Sequence, residues 1–233
     1  MAEMGRRTEQ GLIDSLVPMF ECWREMQALY PDASAKEPLR FPPDAPVLDD
    51  WLDGLRTGGG GQRVWLELVP GKLCADLETK SVRADKLIAA WVRSVVASAC
   101  GVQVQGVIVG RDATVTIQPM SPDDAHDALA ILMQAWRDGM TAPLPLPCKT
   151  ALALVRGLTP AQVAVVYQGS AYEGGGSRGE VDEACLSRMY PDYESLCADG
   201  RFETLAGQLF GPLIAWIKKS VTLDLHSESI AHE

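Results

Sequence analysis

Three prolines alternating with leucines, Pro143-Leu144-Pro145-Leu146-Pro147, constrain this chain more than any other stretch of it. Each ring fixes its own φ and pushes the preceding residue towards extended geometry, so the run forms a stiff, polyproline-like strut. Leu144 and Leu146 cannot both face water along such a strut, which therefore lies against protein. Upstream, Leu129, Leu132, Met133 and Trp136 have helical spacing that ends at Gly139. Downstream comes another apolar segment, residues 151–155. Spacing alone makes residues 136–154 a tight connector from a helix to whatever follows.

The 233 residues suffice for one large domain, or one domain with an appended element. No apolar run approaches a membrane span, and residues 1–10 are polar, with Glu3 and Glu9 where a secretory signal would be apolar. Cys22, Cys74, Cys100, Cys148, Cys185 and Cys197 are scattered, without a CxxC pair or a neighbouring histidine. They read as reduced thiols of a cytoplasmic protein without a structural zinc. Acids outnumber bases 31 to 21, giving a net charge of −10. A protein that grips nucleic acid alone needs the opposite balance, because counterion release supplies most non-specific affinity. DNA contact is therefore expected to be local, or shared with a partner.

Periodicity predicts an α+β arrangement. Leu12, Leu16, Met19, Phe20, Trp23 and Met26 form a helical stripe over residues 12–29, followed by a proline-rich strap at 32–46. Residues 48–55 are a short segment in which Asp49 and Asp50 suit helix caps and Gly54 lies near the end. Gly58-Gly59-Gly60-Gly61 reads as a linker, since no strand–loop–helix context or GK[ST] makes it a phosphate loop. Residues 63–69 alternate as a strand, with Val64, Leu66 and Leu68 on one side and Trp65 and Glu67 on the other. Residues 81–99 are the strongest helix, and 102–109 with 113–118 form a hairpin around Gly110-Arg111-Asp112. Helices follow at 121–137, 151–155, 161–168 and 201–219, the last with a kink expected at Pro212. Residues from Ser227 are expected to fray. The expected divisions are 1–47 (helix and strap), 48–147 (α/β core ending in the strut), 148–226 (helical part packed on the core) and 227–233 (tail).

The wording of the chain is more specific than its composition. DGMTAPLPLP at 138–147, then Tyr172-Glu173-Gly174 and Arg178-Gly179-Glu180, closely resemble the C-terminal region of RecC, the gamma subunit of bacterial exodeoxyribonuclease V. LDDWLDGLR at 48–56, ADKLIAAWVRSVVASA at 84–99, YPDY at 190–193 and FGPLIAW at 210–216 follow the same order, so the likeness spans roughly residues 12–221. RecC proteins are several times longer, which implies a fragment or a split-off form of the last domain, without the helicase-like part. The resemblance implies a PD-(D/E)xK nuclease-like core that lacks a working site and serves as a scaffold. In the assembled helicase–nuclease it would help hold a RecB-like beta subunit and a RecD-like alpha subunit, and contribute to the pin that splits duplex DNA. It implies no cofactor and no activity for this chain alone, with Mg²⁺ and ATP belonging to the partner subunits. The tip at residues 110–112 and the loop at 172–179 are the two candidate projections for the pin.

A live PD-(D/E)xK site needs an acid on one strand and (D/E)xK on the next, so that two carboxylates hold a divalent metal and the lysine orients water. Glu78-Thr79-Lys80, preceded by Asp76, has the letters, but DLETKSVRADK is polar and loop-like where an active motif sits between apolar residues. The preceding strand offers only Glu67. Cleavage through Asp76, Glu78 and Lys80 is the alternative reading, and an adaptor unrelated to DNA is a third. Arg83, Lys86 and Arg93 on the long helix, with Lys80 nearby, form a basic face that could touch phosphates or an acidic partner, or simply be solvated. Arg178, with Glu180, either docks a subunit or pins an irregular loop. His126 reads as a solvated helix residue, and His226 and His232 as tail. Ser170 and Ser177 have no activating histidine or elbow, and Lys149 has no evident role.

Overall fold

A computed structural model of the chain describes residues 2–42, 47–170 and 176–226. Tyr172, Glu173 and Gly174, the tail from Ser227 with His232, and part of the proline-rich strap lie outside the described residues, as does the side chain of Leu12. The chain opens with α1 (Ala2–Leu29), then β1 (Asp32–Ala33), β2 (Glu37–Phe41), β3 (Leu48–Leu52), β4 (Leu55–Thr57) and β5 (Arg63–Leu68). A small hairpin, β6 (Cys74–Asp76) and β7 (Ser81–Val82), precedes α2 (Ala84–Ala99), β8 (Gln105–Val109) and β9 (Ala113–Ile117). Then come α3 (Pro122–Thr141), α4 (Cys148–Val155), α5 (Pro160–Gln168), β10 (Gly169–Ser170), β11 (Ser177–Arg178) and a 3₁₀ turn at Glu180–Asp182. The chain continues through α6 (Ala184–Met189), α7 (Tyr193–Cys197), α8 (Arg201–Ser220) and β12 (Val221–Leu225). The α+β expectation holds. Among the described residues, no helix is long and apolar enough to cross a membrane.

Two compact units make up the chain, Met1–Ala125 with Lys219–Glu233, and His126–Lys218. The first is built on a mixed six-stranded sheet in the order β1-β4-β5-β8-β9-β12. Strands β5 and β8 run parallel, joined by a crossover through α2, and the other neighbours are antiparallel. Both faces of β5 are covered, which explains why alternation along it is apolar on either side. Leu16, Met19, Trp23 and Met26 of α1 pack on the face carrying Val64, Leu66, Val107 and Val109. On the opposite face, Arg93 of α2 lies 4.8 Å over the Trp65 ring. Gly106 on β8 makes room for that indole: a Cβ there would come within 2.1 Å of it.

Three expectations need correction. Residues 48–52 are a strand paired with β2, with Asp49 bonded to Arg40 rather than capping a helix. The four glycines are the turn between β4 and β5, closed by Gly58 N–H donating to Gln62 O and Gly61 N–H to Gly58 O, both at 2.9 Å. The expected helix at 81–99 begins later, because Ser81 and Val82 pair with β6.

The second unit is helical. Val163 and Tyr167 of α5, Leu196 of α7, and Phe202, Leu209 and Leu213 of α8 are buried in it. Tyr193 stacks edge-on against Phe202 at 6.3 Å. Thr159 and Gln162 form a reciprocal capping box at the start of α5. Helix α8 runs unbroken through Pro212.

Candidate functional site

Asp76 ends β6, and Glu78 and Lys80 lie in the four-residue turn that leads to β7. The turn exists because the Asp76 carboxylate accepts the Glu78 N–H at 2.9 Å and the Thr79 N–H at 3.4 Å, the local closure that aspartate offers a chain reversal. Those donors hold the Asp76 carboxyl below its ordinary range, the Glu78 amide contributing most. Lys80 closes the turn with a left-handed φ of 48°. All three side chains are exposed. The hairpin pairs only with itself and is not a strand of the six-stranded sheet. The carboxylate on β5, Glu67, is engaged by Arg93 at 2.5 Å. Among the described residues, no group of three or more histidine, cysteine, aspartate or glutamate side chains is placed to hold a metal ion. These residues do not fit a divalent-metal nuclease centre, which needs carboxylates from adjacent core strands to converge.

Acidic side chains stand beside Arg83, Lys86, Arg93 and Arg178 of the expected basic set. Arg83 sits 3.2 Å from Asp85, and Lys86 reaches the same carboxylate at 4.0 Å. Arg93 bridges Trp65 and Glu67 on the sheet, so its charge serves internal packing. Arg178 is 82% exposed and 3.4 Å from Asp182.

Physical chemistry concentrates instead around the strut. Pro145 and Pro147 are buried while Leu144 and Leu146 are half-buried, so the rings share the inward role expected of the leucines. A Leu146 N–H to Leu144 O bond of 2.9 Å bends the strut at Pro145 into a three-residue turn. Proline at the N-cap of α4 has no side-chain acceptor for the first free N–H groups of that helix. Glu180 supplies one from 30 residues away. Its buried carboxylate accepts the Lys149 N–H at 2.9 Å, the Thr150 N–H at 2.8 Å and the Thr150 hydroxyl at 2.8 Å. Tyr190 ties in the strut's other end, its hydroxyl donating to Pro143 O at 3.2 Å, while Tyr167 donates to Tyr190 O at 2.6 Å. Burial, with the Glu180 charge second, pushes the Tyr167 phenol up to about 12. The strut and the RGE tripeptide are thus two halves of one clamp. A glutamate 31 residues from Lys149 has no sequence signature as a cap, which is why its role was not legible.

Glycines position Glu180. Gly169 has a φ of +78°, and a Cβ there would sit 2.4 Å from Ser177 O. At Gly179 a Cβ would lie 2.4–2.5 Å from the backbone of residues 167–169. The backbones pass too closely for any side chain.

Two further expectations change. The tip at residues 110–112 does not project. Arg111 N–H donates to Gly71 O, the Asp112 carboxylate accepts Leu73 N–H at 2.8 Å, and Asp112 is buried. His226 belongs to no tail: it is buried beyond β12, with ring Nε2 3.0 Å from the Thr114 hydroxyl and its backbone N–H donating to Asp112 O. Burial lowers its pKa. His126 is exposed on α3.

A family model described as the RecC C-terminal domain matches residues 1–159. That span includes the sheet strands up to β9, the ETK hairpin and the strut, and stops before Arg178 and Glu180. No curated protein matches the chain.

Proposed function

The chain belongs to the RecC C-terminal domain family, and from that premise we propose that it is a non-catalytic scaffold and DNA-channel domain of a RecBCD-type exodeoxyribonuclease V. In this reading it acts in double-strand break repair by homologous recombination, through contacts with a RecB-like beta subunit and a RecD-like alpha subunit. DNA contact is limited and shared, in keeping with the net charge of −10. The mixed sheet with a helix on each face supports a PD-(D/E)xK-like core. The observation that carries the non-catalytic half is the hairpin turn, where Asp76 spends its carboxylate on backbone N–H groups and Glu78 and Lys80 point into solvent. ATP and Mg²⁺ chemistry then belongs to the partner subunits.

Incubating the chain with labelled duplex and single-stranded DNA in Mg²⁺ or Mn²⁺ tests that half, and intact DNA is the expected result. Cleavage that disappears in Glu78→Ala would overturn it in favour of an active metal nuclease. Co-expression with the beta and alpha subunits tests the other half. Co-purification is expected, and its absence would favour an adaptor unrelated to DNA.

A further inference from the structure

The six-stranded sheet treats its two edges differently. At one edge, β1 is only two residues long and follows directly on Pro31, a short strand that offers little to an incoming chain. At the other, β12 runs for five residues with neither proline nor lysine inside it, and its single charge is Asp224. No described strand pairs with its outer side.

Register fixes which backbone groups that outer side presents. Gln118 N–H donates to Ser220 O at 2.8 Å and His226 N–H to Asp112 O at 3.0 Å. Both pairs continue the β12–β9 register, in which Val221 faces Ile117 and Leu225 faces Ala113. In an antiparallel ladder the bonded pairs recur at every second residue, so Thr222 and Asp224 also bond inward to β9. Val221, Leu223 and Leu225 therefore turn their N–H and C=O groups away from the sheet. Their side chains are half-buried, while Thr222 and Asp224 are exposed.

We infer that this edge pairs antiparallel with β12 of a second copy of the chain, about a two-fold axis through Leu223. The register is self-complementary. Leu223 meets Leu223 of the second copy, Val221 meets its Leu225, and Thr222 meets its Asp224. Every apolar residue faces an apolar one, and no two like charges stand opposite. Three outward-facing pairs with two bonds each give about six hydrogen bonds. A parallel arrangement would set the two Asp224 carboxylates side by side, which selects the two-fold form. The area joined is small and each copy carries a net charge of −10, so the dimer is weak and strengthens as salt screens the repulsion.

Sedimentation of the full chain from about 1 μM to about 1 mM, at low and high salt, tests this. The mass is expected to rise towards two copies with concentration, and at lower concentration when salt is higher. Amide exchange gives a site-specific reading. The Leu223 and Leu225 amides should gain about tenfold protection over the same range, while Thr222 and Asp224 stay protected throughout. Leu223→Pro removes an outward N–H without touching the inner ladder, and should hold the chain monomeric with unchanged circular dichroism. Should that variant unfold, Leu223→Lys carries the test by placing two like charges on the axis. A wild-type chain that stays monomeric at about 1 mM, or a dimer that survives Leu223→Lys, overturns the inference and leaves the edge to a strand from an unlike protein. The outcome is independent of whether the chain cleaves DNA.

Discussion

Glu78 and Glu180 invite comparison because each sits in a tripeptide that catches the eye, ETK in the first unit and RGE in the second. Glu78 has the letters of a catalytic motif, yet it lies exposed in a self-paired hairpin turn. Glu180, opening the 3₁₀ turn after Gly179, is 6% exposed and accepts three hydrogen bonds at the head of α4. The difference teaches that a carboxylate is given its role by what surrounds it. A turn in water asks almost nothing of Glu78, while a helix that starts on proline needs an acceptor from elsewhere. Burying a carboxylate is tolerable only where donors meet it, and the N-terminal dipole of α4 adds to their pull.

Truncating both glutamates breaks or sharpens that comparison most directly. Glu180→Ala should cost about 2–4 kcal/mol, because it strips a helix start of its acceptor and leaves buried donors unpaired. Glu78→Ala should stay within about 0.5 kcal/mol of the parent, as exposed surface changes ordinarily do. Urea unfolding of the two variants measures both, and equal losses would erase the distinction. Next in size is Gly179→Ala, expected to destabilise by about 2–3 kcal/mol since the new methyl meets backbone that cannot yield. The same urea titration reads it, and a neutral result would mean that the loop does not need to pass so close in order to deliver Glu180.

The basic residues carry the contrast to smaller effects. Arg93→Ala should lose about 1 kcal/mol, combining a ring contact with Trp65 and a partly exposed pair with Glu67. Arg178→Ala, at an 82% exposed site, should change stability by less than about 0.5 kcal/mol. Thermal unfolding distinguishes them. A larger loss at Arg178 would reverse the assignment of one arginine to packing and the other to a solvated loop.

Much of the fold could be read along the chain because the signals are local. Alternation gave β5 its two faces, and Gly110-Arg111-Asp112 marked the β8–β9 hairpin. The apolar stripe of residues 87–96 marked α2. Errors fell where a partner distant in sequence decides the state. LDDWLD carries capping aspartates, but pairing with β2 outweighs them, a tertiary override of local preference. Val221, Leu223 and Leu225 do alternate with Thr222 and Asp224, so β12 had a signal, masked by the long helix that runs straight into it. The strut was legible as stiff and as a family mark. Its clamp was not, since nothing in CKTALAL names the residue that caps it. For the hairpin, the polar setting of DLETKSVRADK already argued against a buried catalytic strand, and the exposed turn agrees with that local argument.

Asp76 supplies the finest test of the same contrast. Its folded-state pKa is depressed chiefly by the Glu78 amide, with help from Thr79. A depressed carboxyl contributes stability above its unfolded value of 3.8, and that contribution is lost as pH falls through the lower folded value. The acid limb of the stability curve below about pH 4 should therefore flatten slightly in Asp76→Asn, and the small stabilisation that the charged carboxylate gives at neutral pH should be lost. Carboxyl resonances followed by NMR should place Asp76 below an ordinary aspartate, and Mg²⁺ should leave that titration where it is. A metal ligand behaves otherwise, because a bound cation competes with the proton and drives the apparent pKa down in a saturable way. A saturable Mg²⁺ shift shared by Asp76 and Glu78 would make the hairpin a metal site after all, and Glu180 would lose its standing as the more consequential of the two carboxylates.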